Sequence, residues 1–395
     1  MTAHADTLGG SAPRRALRVA IVAGEASGDQ LGAALIAALR ARLPQCEFRG
    51  VAGPKMLSAG CTALASAGEL AVMGLAEILA HLPRLWRLQR GLERAFLEWQ
   101  PDVFVGIDSP EFNLGLASRL KAHGLHTVQY VSPQVWAWRQ GRVRTIARDC
   151  DLVLCLLPFE PAFYDAHAVR AVYVGHPLAD QIALAPERGG ARSALGLAAD
   201  APVVALLPGS RVGEVRRLGP VFLRTVDWLR ARRPELQFIA PMASPEAALA
   251  FTAADAAGVR RLEGQARLAL QAADAALVTS GTATLEALLC RCPMVVAYRA
   301  SALSAALVRG LRLVRVSHFA LPNLLAGERL VPEHFQEEAR PERLGEGVLR
   351  ALGDEAYRAA LLARFEAIHR ALRQDGAARA AGAILELVGG GGGAA

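Results

Sequence analysis

The sequence V-V-A-L-L-P-G-S-R-V-G-E, from Val203 to Glu214, lies almost at the middle of the 395-residue chain. Its apolar run predicts a parallel strand covered on both faces, and the Pro-Gly-Ser-Arg that follows predicts a tight turn before a helix. In open α/β sheets, ligands bind beyond the carboxyl ends of strands, where turn amides and helix N-termini attract anions. Arg211 adds a guanidinium fork that suits phosphate oxygens, with Ser210 and Glu214 beside it. A surface turn with a solvated arginine is the alternative that this segment leaves open.

A second pattern of the same kind, A-A-L-V-T-S-G-T-A-T-L-E, runs from Ala275 to Glu286. Its turn, Ser280-Gly281-Thr282, carries no carboxylate, so the backbone amides are available to cradle a diphosphate. Glu286 follows Thr282 by one helical turn, which places it within reach of ribose hydroxyls. Two such turns on neighbouring strands predict a nucleotide site in this half of the chain, with plain structural turns as the alternative.

The composition is that of a globular protein of two to three domain lengths, with 53% hydrophobic and 21% charged residues. The formal net charge of +7 favours an anionic partner, and nucleic acid, nucleotide phosphates and acidic lipid all fit. The six cysteines lack the paired spacing of zinc sites and indicate buried residues of a reducing compartment. No apolar stretch is long enough to span a bilayer, so any membrane role is expected to be peripheral.

Two carboxylates follow the first predicted strand. The loop Gly24-Glu25-Ala26-Ser27-Gly28-Asp29 lacks the G-x-G-x-x-G of a dinucleotide site, and its acidic residues would repel a pyrophosphate. We therefore expect the phosphate site elsewhere and consider Glu25, Ser27 and Asp29 as contacts for a hydroxyl-bearing substrate. Capping of the helix predicted from Gln30 to Leu43, by Ser27 or Asp29, is an equally open role.

Another carboxylate stands at the end of a buried strand in the segment Asp102 to Asn113, D-V-F-V-G-I-D-S-P-E-F-N. Asp108 follows the apolar run directly, and Pro110 is expected to hold Ser109 extended. At the carboxyl end of a strand Asp108 faces the ligand crevice, where partial desolvation raises basicity. We consider Asp108 as a candidate base, although its position is also that of a cap for the following helix.

A tryptophan-rich loop, S-P-Q-V-W-A-W-R from Ser132 to Arg139, follows the next predicted strand. Trp136 and Trp138 are suited to form a platform for a sugar or an acyl chain beside phosphate-binding charge, whereas packing of the loop onto the protein is the alternative. The arginines on and after the loop are Arg139, Arg142, Arg144 and Arg148. The D-x-D pattern at Asp149 to Asp151 precedes the next strand and so lies at the wrong end of the sheet for a metal site.

The stretch Leu70 to Leu82 is almost continuously apolar, and a row of arginines follows it. The arginines are Arg84, Arg87, Arg90 and Arg94. An apolar helix beside such a row suits the interface of an anionic membrane. A core helix with a solvated basic face is the default interpretation, and the spacing alone favours it. The candidate membrane contacts are Leu70, Val72, Met73, Leu75, Ile78 and Leu79.

The alternation of strands and helices predicts an α/β protein with two Rossmann-like, doubly wound halves. Asn323, in an apolar loop, is either a turn former or a ligand contact. Closing helical patterns run from Pro341 to Leu352, Glu355 to Arg373 and Ala377 to Leu387. The predicted units are residues 1–16 as a disordered leader, 17–182 as the N-terminal Rossmann-like domain, 183–200 as a linker, 201–345 as the C-terminal Rossmann-like domain with the predicted nucleotide site, 346–388 as C-terminal helices and 389–395 as a flexible tail.

Several of these motifs together resemble the lipid-A-disaccharide synthases, and the resemblance runs from about Arg18 to Leu387. In the first half the motifs are A-G-E-A-S-G-D (23–29), L-A-V-M-G (70–74), D-V-F-V-G-I-D-S-P-E-F-N (102–113) and Y-V-S-P-Q-V-W-A-W-R (130–139). In the second half they are L-L-P-G-S-R-x-x-E (206–214), S-G-T-A-T-L-E (280–286) and L-P-N-L-L-A-G (321–327). The sequence departs from the family at Gln129, where we expect histidine.

The resemblance implies an inverting glycosyltransferase with the GT-B fold, in which two Rossmann-like domains face a central cleft. It implies UDP-2,3-diacylglucosamine as the donor and 2,3-diacylglucosamine 1-phosphate, or lipid X, as the acceptor. The implied products are the β-1,6-linked lipid A disaccharide 1-phosphate and UDP. By the same resemblance, UDP binds the second domain beside Arg211, Glu286 and Asn323, and Asp108 is the base. No cofactor, metal or nucleic acid is expected.

The resemblance also implies where the protein works. Family members act at the cytoplasmic face of the inner membrane, which favours lipid contact for Leu70 to Leu82. Their tail helices can be exchanged between two chains, so the resemblance is compatible with a homodimer. Two rivals share the architecture: a sugar-nucleotide epimerase and a non-catalytic nucleotide-binding protein. Within the favoured reaction, Glu25 and Asp29 compete with Asp108 for the role of base.

Overall fold

The computed structural model of the chain describes residues 16–70, 78–136, 140–251, 258–300 and 318–390. Within these ranges the first half forms a parallel sheet of seven strands in the spatial order β3-β2-β1-β4-β5-β6-β7. The strands are β1 (Arg18–Ala23), β2 (Glu47–Ala52), β3 (Thr62–Ser66), β4 (Val103–Ile107), β5 (His126–Tyr130), β6 (Leu152–Cys155) and β7 (Ala171–Tyr173). The helices of this half are α1 (Ala26–Arg42), α2 (Pro54–Ser58), α3 (Ile78–Trp99), α4 (Pro110–Ala122), α5 (Val143–Asp149), α6 (Glu160–Asp165) and α7 (Pro177–Gln181).

The second half forms a parallel sheet that has six strands in the described ranges, in the order β10-β9-β8-β11-β12-β13. The strands are β8 (Val203–Leu207), β9 (Gln237–Met242), β10 (Val259–Glu263), β11 (Ala275–Thr279), β12 (Met294–Tyr298) and β13 (Glu333–Phe335). The helices are α8 (Arg188–Ala194), α9 (Val212–Arg230), α10 (Pro245–Ala250), α11 (Ala266–Ala272), α12 (Thr282–Leu289), α13 (Leu321–Ala326), α14 (Pro341–Gly353), α15 (Glu355–Leu372) and α16 (Gly376–Gly390). Short 3₁₀ turns lie at Ala67–Glu69, Gln134–Trp136, Gln140–Arg142 and Gln336–Glu338.

The order of strands reverses between β1 and β4 in the first sheet and between β8 and β11 in the second. In open parallel sheets the ligand crevice lies at this point, because the connections on either side leave in opposite directions. The turns that follow these four strands carry Glu25, Asp108, Arg211 and Gly281. Both sheets therefore present the turns that the sequence singled out at their ligand-binding edges.

The predicted central strands are confirmed, whereas the edge strands were not predicted. Strands β4, β8 and β11 are buried over their whole length, because helices cover both faces of each sheet. Edge strands β3 and β10 are mostly exposed and carry polar residues, so they lack the apolar run that marks a buried strand. Pairing with one neighbour along the backbone holds them in the sheets.

Three predicted boundaries are corrected by the structure. Helix α1 begins at Ala26 after Glu25, so Ser27 and Asp29 lie inside its first turn and do not cap it. The predicted linker 183–200 contains helix α8, which is fixed to the second half because the buried guanidinium of Arg192 pairs with Asp274. Helix α16 continues through Gly390, beyond the start predicted for the flexible tail.

The end of the chain returns to the first sheet. Helix α15 contributes Leu361 and Phe365 to the core of the second half. Helix α16 instead packs Ala380 and Ile384 into the core that contains β1 and α1. Between them the carboxylate of Asp180 accepts hydrogen bonds from three successive backbone N–H groups, those of residues 374, 375 and 376, at 3.1, 3.0 and 2.8 Å. Asp180 thus fastens the crossing segment to the segment that leaves the first sheet.

Replacing Asp180 with alanine is expected to lower the free energy of unfolding by about 2 kcal/mol, because three N–H groups lose a charged acceptor. Chemical denaturation at neutral pH measures this loss. Asp200→Ala, in the exposed loop before β8, is the control and should change stability by less than about 0.5 kcal/mol. An equal effect of the two substitutions would contradict the role given to Asp180.

Candidate functional site

Two adjoining cavities lie at the carboxyl ends of the strands. The second-sheet cavity, of about 740 Å³, is lined by the turns after β8, β9 and β11 together with residues of β12 and β13. The first-sheet cavity, of about 400 Å³, is lined by the turns after β4, β5 and β6. Thr282, the first residue of α12, lines both cavities, and Leu321 also reaches the first-sheet cavity. The two cavities therefore meet at the N-terminus of α12.

In the first predicted phosphate turn, after β8, two backbone N–H groups already bind a carboxylate of the protein. The Glu214 carboxylate accepts hydrogen bonds from the backbone N–H groups of Ser210 and Arg211, at 3.2 and 3.4 Å. Gly209 has φ 137° and permits this approach, because a Cβ there would lie 2.5 Å from the Glu214 Cβ. Glu214 thus supports the turn and also lines the second-sheet cavity, so its role as a substrate contact stays a prediction. The Arg211 side chain remains exposed at the cavity.

The second predicted turn has the features of an anion site. Gly281 has φ 146°, which favours glycine, and it precedes helix α12 of eight residues. Ser280, Gly281 and Thr282 line the cavity at the end of this helix, where N–H groups and the helix dipole favour negative charge. Glu286 lies one turn further, half-buried in the same wall, and burial raises its pKa against the opposing charge of Arg267.

An aromatic stack, which the sequence did not reveal, forms another wall of the second-sheet cavity. The Phe335 ring stacks on Tyr298 with centroids 5.8 Å apart and on Phe319 with centroids 5.3 Å apart. The three residues come from β12, β13 and the segment before α13, so no local pattern connects them. Together they offer a flat apolar surface to a ring or an acyl chain.

Asn323 was predicted to contact ligand, and the structure gives it another role. Its side chain is fully buried, donates to the Val331 carbonyl at 3.0 Å and accepts from the Val331 N–H at 2.8 Å. Both ends of the amide are therefore used to pair α13 with the segment before β13. Asn323 is a turn former, which is the alternative that its position in the sequence left open.

The turn that carries Asp108 is strained and held by two buried amides. Asp108 and Ser109 have φ values of 52° and 40°, so Ser109 is not extended as predicted but left-handed. The Asp108 carbonyl accepts from the Asn113 side chain at 2.8 Å and from the Gln129 side chain at 3.1 Å. Val131, beside them, has φ 77°, which is unfavourable for a β-branched residue. Such strain persists only where surrounding contacts enforce it, and it is common at functional sites.

Gln129, which replaces the expected histidine, is a clamp between two turns. It is 1% exposed and also donates toward the Tyr130 and Val131 carbonyls, at 3.4 and 3.3 Å. One side-chain amide thus joins the turn after β4 to the turn after β5. In this chain Gln129 therefore stabilises the backbone of both turns.

Asp108 lines the first-sheet cavity and is half-buried. Burial raises the pKa of its carboxyl above the ordinary value, with the Ser109 N–H acting in the opposite direction. A carboxylate with a raised pKa is a stronger base than one in water. The environment expected from its position at the strand end is therefore present around this side chain.

Two further ionisable residues of this cavity were not predicted. Glu160 is 3% exposed and accepts from Trp136 Nε1 at 3.1 Å and from the Leu157 N–H at 2.9 Å. Its burial raises its pKa to about 7. Burial of His176 lowers its pKa to about 4, so its imidazole is neutral at pH 7. The rule that located Asp108 would have found both, since they follow β6 and β7.

Trp136 packs its loop onto the protein, in agreement with the alternative to a substrate platform. Its ring meets Phe159 edge to face with centroids 4.8 Å apart, while its Nε1 donates to Glu160. The predicted contacts Trp138 and Arg139 lie outside the described residues.

In the acidic segment after β1, Asp29 is buried and bonded to the backbone, whereas Glu25 and Ser27 are exposed. The Asp29 carboxylate is 3% exposed and accepts from the backbone N–H groups of Gly53, Lys55 and Met56 at 2.9 to 3.0 Å. It therefore organises the turn into α2, which corrects its predicted role as a substrate contact. Glu25 and Ser27 are exposed. The turn that carries them packs against the turn after β4, because a Cβ on the neighbouring Gly24 would be 2.7 Å from Ser109 Oγ.

The D-x-D pattern lies at the amino end of β6, as expected. Asp149 pairs with Arg148, whereas Asp151 pairs with Lys121 and accepts from Thr127. Across the described part of the chain, no group of three or more histidine, cysteine or acidic residues is arranged to hold a metal ion.

The predicted membrane stretch is only partly described. Val72, Met73 and Leu75 lie outside the described residues, as do the side chains of Ile78 and Leu79 at the start of α3. Leu70 packs against the core of the first half. The arginine row lies on the exposed face of α3 and comprises Arg84, Arg87, Arg90 and Arg94. No helix of the described chain is both long enough and apolar enough to cross a bilayer.

The raised pKa of Glu160 makes stability depend on pH. A glutamate in an unfolded chain has a pKa of roughly 4.3, so between about pH 5 and 8 the folded protein binds more protons and loses stability as pH rises. The lowered pKa of His176 has the opposite effect below about pH 6.5 and is shared by wild type and variant. Glutamine does not titrate, so Glu160→Gln lacks this loss. We therefore expect the free energy of unfolding of the variant, relative to that of wild type, to increase from pH 5 to pH 8 by on the order of 3 kcal/mol.

Denaturation curves measured at several pH values provide the test of this change. Glu98→Gln, on the exposed surface of α3, should keep a constant difference from wild type. A constant difference for Glu160→Gln as well would contradict the raised pKa.

Comparison with known proteins identifies a family that this chain resembles over nearly its full length. A family model described as lipid-A-disaccharide synthetase matches residues 19–384. A relative from Chromohalobacter salexigens, named lipid-A-disaccharide synthase, is 52% identical over 377 residues, which cover 94% of this chain and 97% of the relative.

Solved structures identify the fold. The glycotransferase of kitacinnamycin matches with a TM-score of 0.61 and 19% identity, covering 94% of this chain and 99% of that one. The UDP-GlcNAc 2-epimerase from Neisseria meningitidis, solved with UDP-GlcNAc, matches with a TM-score of 0.61 and 12% identity, covering 94% and 99%. At such identities these neighbours show the fold alone, which is GT-B, with helices at its C-terminus.

Proposed function

We propose the following reaction for this chain, which belongs to the lipid-A-disaccharide synthetase family. It transfers 2,3-diacylglucosamine from UDP-2,3-diacylglucosamine to the 6-hydroxyl of lipid X. The products are the β-1,6-linked lipid A disaccharide 1-phosphate and UDP. The name of the relative supports the disaccharide product, and the resemblance of the motifs supports these two substrates.

One observation carries the mechanism: the two cavities meet at Thr282. A diphosphate bound at the N-terminus of α12 would place the sugar of the donor at the boundary with the first-sheet cavity. An acceptor in that cavity would lie beside Asp108. Donor and acceptor would thus approach each other from opposite sheets, as a direct transfer requires.

The reaction is a single displacement. The acceptor's 6-oxygen attacks the anomeric carbon of the donor, the bond from that carbon to the diphosphate breaks, and Asp108 takes the hydroxyl proton. Inversion needs one base and no covalent intermediate. The charge that develops on UDP is met by the Arg211 guanidinium and by the amides at Gly281 and Thr282.

The structure reduces the three candidate bases to two. Asp29 is excluded as a base by its burial and by the three backbone N–H groups that its carboxylate accepts. Glu25 is exposed in the turn after β1 and remains the competitor for the role of base. We favour Asp108 because it lines the cavity and has a raised pKa.

We further propose peripheral binding to the inner face of the inner membrane. The exposed arginines of α3 accompany Trp86, which is 49% exposed, with the Arg90 guanidinium 3.9 Å from its ring centroid. Cations beside an exposed indole suit an anionic membrane interface. We also propose that residues 17–182 serve the acceptor and membrane and that 201–345 bind the nucleotide. The homodimer with exchanged tail helices is proposed on the resemblance alone.

UDP release with and without lipid X tests the proposed function. The transferase releases UDP only when the acceptor is present. An epimerase would convert the donor without acceptor, and a binding protein would bind UDP and release nothing. Either result would overturn the proposal.

Replacing Asp108 with asparagine is expected to lower kcat by about 10²- to 10⁴-fold, because the variant cannot take the hydroxyl proton. UDP affinity, measured by calorimetry, should stay close to that of wild type. In wild type the rate should rise with pH as the raised pKa of Asp108 is passed, since only the ionised form is a base. Asp165→Asn, exposed at the end of α6, is the matched control. Unchanged turnover in Asp108→Asn would refute the assignment.

Full activity is expected in excess EDTA, because the arginine and the helix N-terminus supply the charge stabilisation that a metal supplies elsewhere. Initial rates of UDP release before and after dialysis against the chelator provide the measurement. Loss of activity that Mg²⁺ or Mn²⁺ restores would contradict this mechanism.

A further inference from the structure

The first-sheet cavity is acidic, yet the proposed acceptor carries a phosphate. Three carboxyl groups line the cavity, those of Asp108, Glu111 and Glu160. His176 lines it as well, but its lowered pKa of about 4 leaves it neutral. Among the described residues that line this cavity, Arg142 is the only one with a positive charge at pH 7.

Arg142 presents a complete guanidinium fork at the wall of this cavity. Its two terminal nitrogens contact the two carboxylate oxygens of Glu111, at 2.6 and 2.9 Å. A phosphate group offers the same pair of parallel acceptors with more negative charge, so it can replace a carboxylate on this fork. The present contact therefore shows the geometry in which Arg142 would hold a phosphomonoester.

The two partners of this ion pair are held to different degrees. The Arg142 side chain is 29% exposed. Arg142 directly precedes α5, which is anchored in the core of the first half by the buried residues Val143 and Ile146. The Glu111 side chain is 75% exposed, in the first turn of α4. Because an ion pair with a solvated partner contributes little to stability, Glu111 can leave the fork at small cost.

We propose that Arg142 binds the 1-phosphate of the acceptor and that Glu111 occupies the guanidinium until the acceptor arrives. This inference rests on the proposed function, since it assigns one end of the proposed acceptor. The 1-phosphate and the carbon that carries the 6-hydroxyl are attached to the two ring carbons that flank the ring oxygen of glucosamine. Asp108 receives the 6-hydroxyl and Arg142 receives the 1-phosphate, within one cavity. Arg142 thereby selects the phosphorylated sugar over its dephosphorylated form.

A purely structural ion pair makes a different prediction. If the pair only joined α4 to α5, removing either charge would have the same effect on the protein. If Glu111 competes with the acceptor, the two substitutions act in opposite directions on acceptor binding. Arg142→Gln removes the phosphate ligand, whereas Glu111→Gln releases the guanidinium from its intramolecular partner.

Steady-state UDP release, with lipid X and donor varied in turn, tests the proposal. We expect Arg142→Gln to raise the acceptor KM by about tenfold to a hundredfold, the range for loss of a charge-assisted fork, and to leave the donor KM unchanged. Glu111→Gln should lower the acceptor KM. Arg170→Gln, which breaks an exposed ion pair with Glu386 away from the cavity, should match wild type. An unchanged donor KM in Arg142→Gln also shows that the variant is folded.

A second acceptor makes the test specific for phosphate. With dephosphorylated 2,3-diacylglucosamine, wild type should show the raised acceptor KM, and Arg142→Gln should no longer distinguish the two acceptors. If Arg142→Gln keeps the wild-type KM for lipid X, or if both charge substitutions raise it equally, the inference is overturned while the transferase function stands. If wild type releases no UDP with lipid X, the proposed function itself fails.

Discussion

The reversal of strand order in each sheet is the constraint on which the site depends. All strands of a parallel sheet end at one edge, and at the reversal the neighbouring turns separate and leave a crevice. The turn after β4 lines one cavity, and the turns after β8 and β11 line the other. Chemical groups that are distant in the sequence are brought together here because each follows a strand.

This constraint explains how much the sequence could predict. Asp108, Arg211 and Gly281 were placed correctly after buried strands, because an unbroken apolar run indicates both the strand and its end. The partners of polar side chains could not be predicted in the same way. Asp29 binds backbone N–H groups 24 to 27 residues away, and Asn323 binds a residue eight positions away. Neither separation leaves a periodic signal, so the sequence does not distinguish these partners from a ligand.

Three of the predicted contacts, Asp29, Glu214 and Asn323, prove to hold turns in place, and two unexpected amides do the same for Asp108. Asn113 and Gln129 meet the carbonyl of a residue whose backbone is strained. A base that moves by a fraction of an ångström loses its alignment with the hydroxyl it must deprotonate. Many polar side chains near the cavities therefore fix the backbone of the turns. Motif spacing does not distinguish this role from ligand binding.

The return of the last helix to the first sheet affects how the chain is made. Ala380, Ala381 and Ile384 are fully buried and share a core with Leu35 and Ile36 of α1. During synthesis the ribosome releases α1 more than three hundred residues before these partners exist. The part of α1 that packs against α16 therefore has no partner while the whole second half is translated. A chain that stops early exposes this apolar surface, and transiently exposed apolar surface promotes aggregation.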